Sequence, residues 1–303
     1  VKTLRIAIVA AVLLGLGAAA YHLSPSFRLA VLVMAGRSPV CPFAQAIQSA
    51  ANIQETARIK DRILAASRLL KQEQGLELWD TPKGQFWIPR GNRYVLPFNL
   101  AEIERHVYGS GPHFIRAGDI VLDCGASDGD FTREALQAGA GKVVAIEIAP
   151  TSAECIRRNL AAEVASGRVV VYPKGVWDRD DSLDLNVDDT NFAANSVVMH
   201  SDSSHASVRV PLTTIDRIVA ELNLPRVDFI KMDVEGAEIP ALRGAHGTLV
   251  RYKPRLAIAT EHKPDDQYNI PAAVRGARPD YQMECGPCLE AGGRVRPDVL
   301  YFY

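Results

Sequence analysis

The segment from Phe229 to Gly244, FIKMDVEGAEIPALRG, gathers one lysine, one aspartate and two glutamates where an apolar strand turns into a helix. Carboxylates in that position, Asp233 and Glu235, suit work on a proton or on a cation. The plain structural role of such acids is to favour the positive end of a helix dipole, and that role is assigned to Glu238 alone. Lys231, two residues before Asp233, points to the same face of an extended chain and neutralises part of the charge. A further pair, Glu261 and His262, ends the next apolar run, PRLAIATEH.

The stretch VLDCGASDGDF, residues 121–131, is an apolar strand followed by a tight glycine turn and a helix. Glycine permits a sharp turn and the close approach of a ligand. Asp128 and Asp130 suit the helix start but repel a pyrophosphate, and Gly-x-x-x-Gly is not the dinucleotide pattern Gly-x-Gly-x-x-Gly. The loop fits a cofactor with a cationic centre and an amino-acid tail, S-adenosylmethionine, with Asp123 near its ammonium or sulfonium end. About twenty residues on, Glu147 ends a second strand, placed to accept both hydroxyls of a ribose.

These groups need a scaffold that brings strand ends together. Short Val/Ile-rich runs, DIVLDCGA, KVVAIEIA, RVVVYPKGVW, RVDFIKMDV and PRLAIATEH, alternate with helical stretches. That pattern predicts an α/β, doubly wound, mainly parallel Rossmann-like sheet, covered on both faces. YQMECG and DVLYFY are expected to form its antiparallel C-terminal edge. Upstream, residues 42–74 show helical spacing, and LELWDTPKGQFWIP, residues 76–89, reads as a hairpin. The expected organisation is a hydrophobic segment over 1–36, a helical extension with a hairpin over 37–94, and the catalytic domain over 95–303.

With 34 Lys and Arg against 35 Asp and Glu in 303 residues, charge argues against a nucleic-acid partner. Five cysteines, at 41, 124, 155, 285 and 288, lack the spacing of a disulfide framework or a zinc site, so a reducing compartment is expected. Cys285-Gly-Pro-Cys288 has redox-type spacing, but the glycines and proline that follow favour a turn. Lys2 and Arg5 precede an apolar run, Ile6 to Tyr21, slightly short of a bilayer span. An uncleaved membrane anchor is expected over a signal peptide, with the catalytic domain cytoplasmic, where S-adenosylmethionine is made.

Taken in order, VLDCGASDGDFT, VVAIEIAP, RRNL, KGVWDRDDSLDL, TTIDRI and DFIKMDVEGAE resemble the motifs of the FkbM-type S-adenosylmethionine-dependent methyltransferases over residues 95–262. The resemblance implies a class I fold and O-methylation of a hydroxyl on a sugar, glycan or secondary metabolite. It implies that Asp123, Gly125 and Gly129, with Ala126 and Ser127 in the same loop, cradle the methionine part. Glu147 then holds the ribose, and Gly175 and Val176 border the adenine. Members often carry Asn where Ser127 stands and Pro where Ile148 stands.

Methyl transfer to an alcohol needs the oxygen held in line and relieved of its proton. Asp233 or His262 is the expected base, with Glu235 positioning the acceptor or the cofactor's amino group. A divalent-metal variant using Asp233, Glu261 and His262 stays open but is not favoured, and no metal ligand is assigned. The polar stretch 188–206 is expected to wall the acceptor site, with Asn195, His200 and His205 as hydrogen-bonding candidates. The alternatives are a membrane-tethered binding protein that has lost catalysis, and a nicotinamide-dependent oxidoreductase, which the missing glycine fingerprint weakens.

Overall fold

The computed structural model describes residues 2–188, 191–199 and 204–303. The chain begins with α1 (Lys2–Leu23), α2 (Pro25–Met34) and α3 (Phe43–Ala66), followed by β1 (Arg68–Glu73), β2 (Leu76–Thr81) and β3 (Gly84–Pro89). The expected hairpin is β2–β3, and β1 extends it to three antiparallel strands where the sequence reading continued the helix to residue 74. Then come α4 (Val95–Glu104), β4 (Ile120–Cys124), α5 (Asp130–Gln137), β5 (Lys142–Ile146), α6 (Pro150–Asn159), α7 (Ala161–Ala165) and β6 (Val169–Tyr172). The run read as one third strand divides here, with β7 (Gly175–Val176) joining β8 (Asp181–Asp188) and β9 (Ser204–Thr213) in a separate sheet. The remainder is α8 (Ile215–Glu221), β10 (Phe229–Met232), α9 (Glu238–Arg243), α10 (His246–Tyr252), β11 (Arg255–Ala259), α11 (Asp266–Ala277), β12 (Met283–Cys285), β13 (Cys288–Ala291), β14 (Arg294–Pro297) and β15 (Val299–Phe302).

The central sheet runs β12-β15-β11-β10-β4-β5-β6. Strands β11, β10, β4, β5 and β6 are parallel, while β15 inserts antiparallel between β11 and β12. Alternate residues feed two cores: Leu122, Val144 and Ile230 on one face, Val121, Val143 and Phe229 on the other. Burial on both faces is why these strands read as continuous apolar runs rather than alternating ones. The chain leaves β4 towards β5 and later returns to its other side as β10, so the order reverses at β4. A crevice at the carboxyl ends of β4, β5 and β10 follows from that topology.

The N-terminal elements share the domain's packing. Ile59 and Ile63 of α3 and Phe86 and Ile88 of β3 form one core with Leu96 and Leu100 of α4. A disulfide joins Cys41 to Cys288, 247 residues apart, and Arg28 of α2 pairs with Glu290 of β13 at 2.8 Å. The disulfide counts against the expectation of a reducing compartment; neither spacing nor neighbours in sequence signal so distant a partner. Cys285 stays a buried free thiol, pushed up to about 11 by burial, so the Cys-Gly-Pro-Cys stretch is a turn between β12 and β13. Reducing the Cys41–Cys288 bond is expected to lower stability by about 2–5 kcal/mol. The check is the denaturant midpoint with and without reductant, with Cys41→Ser reproducing the reduced value.

Side chains on α1 such as Leu13, Leu14 and Leu16 are exposed. Among the described residues no single helix is long and apolar enough to cross a membrane; Ile8–Leu23 with Pro25–Met34 passes only as a pair bent by 110°. The transmembrane helix expected from sequence is therefore not found as one straight element.

Candidate active site

Asp123 departs from its expected role. In register, Asp123 of β4 lies beside Lys231 of β10, and its side chain is fully buried. One carboxylate oxygen, Oδ2, accepts from the Thr132 hydroxyl at 2.6 Å, and the other lies 3.6 Å from Lys231 Nζ. Burial pushes Asp123 up to about 6 against the pull of Lys231 and Thr132. It does not line the cavity; it anchors Lys231 beneath the site and ties β4 to α5.

Above it the glycine turn makes the floor of a 560 Å³ cavity. Gly125 has φ +78°, and a Cβ there would sit 1.8 Å from the Asp233 carbonyl oxygen, so the two strand ends approach as closely as they do only because residue 125 is glycine. Lys231 Nζ donates to the Gly125 carbonyl at 2.7 Å. Ser127 lines the cavity with its hydroxyl unpartnered among the described residues, while Ala126 is buried in the core and Gly129 packs against Ile156 of α6 and Leu160 just after it. Of the loop residues expected to touch a cofactor, Gly125 and Ser127 reach the cavity, whereas Ala126 and Gly129 shape the turn from behind.

Glu147 follows β5 and faces the same space. Its oxygens accept from the backbone N–H of Ser127 and of Ala149, both at 2.7 Å, which fixes the carboxylate across the turn. Burial pushes it up to about 7, with those two N–H groups pulling the other way. Ile148, Gly175 and Val176 continue the wall. A Cβ on residue 175 would lie 2.5 Å from the side chains of Ile148 and Leu212, so the slot between them depends on glycine.

The opposite side is acidic. Asp233 lines the cavity; its Oδ2 accepts from the Tyr108 hydroxyl at 2.6 Å, while Oδ1 lies 3.5 Å from His262 Nε2 and has no hydrogen bond among the described residues. Lys231 Nζ is 3.8 Å from Asp233, as the two-residue spacing predicts. Burial raises the Asp233 pKa, but Lys231, His262 and the Tyr108 hydroxyl together more than reverse this, and the net shift is downward. Glu235 also lines the cavity, in a left-handed conformation at φ +50°. The carbonyl of Glu235 accepts from Ser196 Oγ at 2.6 Å, so the segment after β8 braces this strained turn.

His262 is drawn into the cluster as a cation. Its Nδ1 lies 3.0 Å from Glu238, and its Nε2 lies 3.4 Å from Glu235 and 3.5 Å from Asp233. Burial lowers its pKa, but hydrogen bonds to Glu235 and Glu238 and the charge of Asp233 carry it up to about 12. An imidazole held protonated near neutrality accepts no proton, which removes His262 from the expected bases. Glu238 begins α9 as expected and also accepts from the N–H of Val234 and Gly236, so it holds the turn after β10.

Donor atoms of Asp233, Glu238 and His262 come within 4.8 Å of one another, a set with Glu238 where the sequence reading had Glu261. A metal there must first displace the proton that the carboxylates hold on His262. Glu261 lines the cavity instead, held well above the usual range by burial and by Asp298.

Other walls escaped the sequence reading. Val95, Phe98, Asn99 and Glu102 of α4 line the cavity, with Tyr108 beyond them. The 95/98/99/102 spacing was the available signal. Of the loop candidates, Asn195 lines the cavity and its Oδ1 accepts from Asp188 N–H at 3.0 Å. His200 and the His205 side chain lie outside the described residues.

A glycine turn, a carboxylate braced on the second strand and an acid cluster on the fourth, all at one switch point, define a class of α/β cofactor-dependent transferase. Residues 123–281, more than half of the chain, match the model of the methyltransferase FkbM domain, and the chain belongs to that family of methyltransferases. Among solved structures it is similar to methyltransferase FkbM from Methylobacillus flagellatus KT, at 20% identity over 84% of this chain and 60% of that one, TM-score 0.46. It is also similar to precorrin-6y C5,15-methyltransferase from Geobacter metallireducens GS-15 (14% identity, 62% and 78% covered, TM-score 0.35). A ribosomal protein L11 methylase from Lactobacillus delbrueckii subsp. bulgaricus resembles it at 14% identity, with 71% and 81% covered and TM-score 0.36. The chain thus spans less than two thirds of the Methylobacillus protein. No curated protein matches the chain.

Proposed function

We propose that this methyltransferase uses S-adenosylmethionine to methylate a hydroxyl of a sugar, glycan or secondary metabolite. The observation that carries the reading is the single cavity into which Glu147, Gly175 and Asp233 all open. The residues fit the donor: Gly125 and Ser127 border its methionine part, Glu147 its ribose, and Ile148, Gly175 and Val176 its adenine, in a slot that a Cβ at 175 would fill. When bound, the donor supplies an electrophilic methyl group on a sulfonium.

The chain's own residues do the rest. Asp233 accepts the acceptor's hydroxyl proton, with Oδ2 held by Tyr108 and Oδ1 facing His262 Nε2 at 3.5 Å. Lys231 and His262 keep Asp233 ionised, and Glu238 fixes His262. Glu235 and the α4 wall position the acceptor. Mass gain in a methyl-transfer screen against sugar, lipid-glycan and polyketide hydroxyls tests the substrate class; transfer only to nitrogen or carbon acceptors rejects it.

Glu147 supplies a pH signature. Its pKa is pushed up to about 7, so it gains charge as pH rises through that value. A charged acceptor outweighs a neutral one by ~1 kcal/mol, so donor affinity is expected to rise about three- to fourfold from pH 6 to pH 8. Calorimetry with S-adenosylhomocysteine measures this, and Glu147→Gln is expected to flatten the profile.

Membrane attachment through α1 belongs to the same proposal, supported by its exposed apolar side chains. Donor supply favours a cytoplasmic catalytic domain, whereas the Cys41–Cys288 bond favours an oxidising compartment. Protease accessibility in sealed vesicles distinguishes the two.

A further inference from the structure

With Asp123 sealed beneath Lys231, one of the two acids expected near the donor's ammonium does not reach the cavity, and the other, Glu235, faces His262. The cavity carries six carboxylates, Glu102, Asp130, Glu147, Asp233, Glu235 and Glu261, against three lysines. Of the lysines, Lys231 is committed to Asp123 and the Gly125 carbonyl, and Lys60 lies 3.0 Å from Asp61. Four of the acids are engaged, Glu147 by two backbone N–H groups, Asp233 by Tyr108, Glu235 by His262 and Asp130 by the Phe131 N–H, and Glu261 borders Asp298.

Glu102 differs. It projects from α4 on the face that bears Val95, Phe98 and Asn99, and among the described residues its carboxylate has no hydrogen-bond or ion-pair partner. Burial and the carboxyls of Asp298, Asp233 and Asp130 hold its pKa well above the usual range, with Lys231 opposing. Glu102 is half-buried at the cavity wall, and a cation with several N–H donors is the partner that suits such an unpaired carboxyl best.

We propose that Glu102, on a helix outside the residues that match the family, receives a primary ammonium group of a ligand bound in this cavity. The shared chemistry has two sources, the α-amino group of the methyl donor and an amine on the acceptor. The inference rests on the donor reading above, and it adds the receptor that Asp123 does not provide.

The test is calorimetry on the full chain, wild type and Glu102→Gln, with two ligand pairs. The first pair is S-adenosylhomocysteine and 5′-methylthioadenosine, which keeps the adenosine and the thioether but lacks the amino acid. The second is glucosamine and glucose, added to protein saturated with S-adenosylhomocysteine. Matching denaturant midpoints establish that the near-isosteric variant is folded. A loss of about tenfold or more for S-adenosylhomocysteine, with 5′-methylthioadenosine changed less than about twofold, assigns Glu102 to the donor's amine. A Glu102-dependent preference for glucosamine, with donor affinity unchanged, assigns it to the acceptor. Absence of a Glu102-dependent difference in both pairs overturns the proposal. If wild type binds neither thioether, the donor reading itself fails, whatever the variant does.

Discussion

Asp233→Asn is expected to lower kcat for methyl transfer by about 10²–10³-fold while S-adenosylhomocysteine affinity changes by less than about threefold. The amide keeps the shape and still accepts from Tyr108, but it no longer takes up the hydroxyl proton. A depressed pKa makes Asp233 a modest base, yet it is ionised throughout the neutral range and lines the cavity. Glu235 and Glu261, both held upward, are stronger bases when ionised but spend more time protonated. A loss below about tenfold for Asp233→Asn would move the base to one of them. Tyr108→Phe separates orientation from proton transfer, because it frees Oδ2 without removing the carboxylate.

Lys231→Met is expected to destabilise the protein by about 3–5 kcal/mol, the usual consequence of leaving one member of a buried ion pair alone. Lys231 is 4% exposed, and its ammonium is the cation facing Asp123, which is 0% exposed. Without it Asp123 keeps the Thr132 hydroxyl as its hydrogen-bond partner. The pH dependence carries the signature. Asp123 already has a folded pKa raised to about 6, and losing Lys231 raises it further. A carboxyl whose folded pKa lies above its unfolded value favours the fold at low pH and gives that up as pH rises through the folded value. The variant's deficit in denaturant unfolding should therefore be larger at pH 8 than at pH 5. An equal deficit at both would place the cost in packing instead.

Much of the site was legible because its residues obey strand geometry. The strands β4, β5, β10 and β11 are buried on both faces, so their apolar runs stand out, and whatever follows each run lies at the crevice. Glu147, Asp233 and Glu235 were placed at the crevice that way, whereas Gly175 came only from the family resemblance. The same reasoning misplaced Asp123, because it sits inside β4 rather than after it, level with Lys231 in the neighbouring strand. Pairing between strands 108 residues apart leaves no local trace. His262 illustrates a different limit: its place in the cluster was expected, but its charge depends on three carboxylates whose distances only the folded chain sets. The α4 wall and Tyr108 were missed because no chemical motif marks residues 90–116, although helical spacing does. The Cys41–Cys288 bond had no sequence signal at all.

The central claim is that one cavity at the ends of β4, β5 and β10 holds the methyl donor, with Glu147 at its ribose and Gly175 beside its adenine. A crystal structure of the full chain with S-adenosylhomocysteine tests it most directly. The account expects both ribose hydroxyls within hydrogen-bonding distance of Glu147, the adenine between Ile148 and Val176, and the sulfur facing Asp233 across the cavity. A thioether bound elsewhere, or a ribose turned away from Glu147, would contradict it.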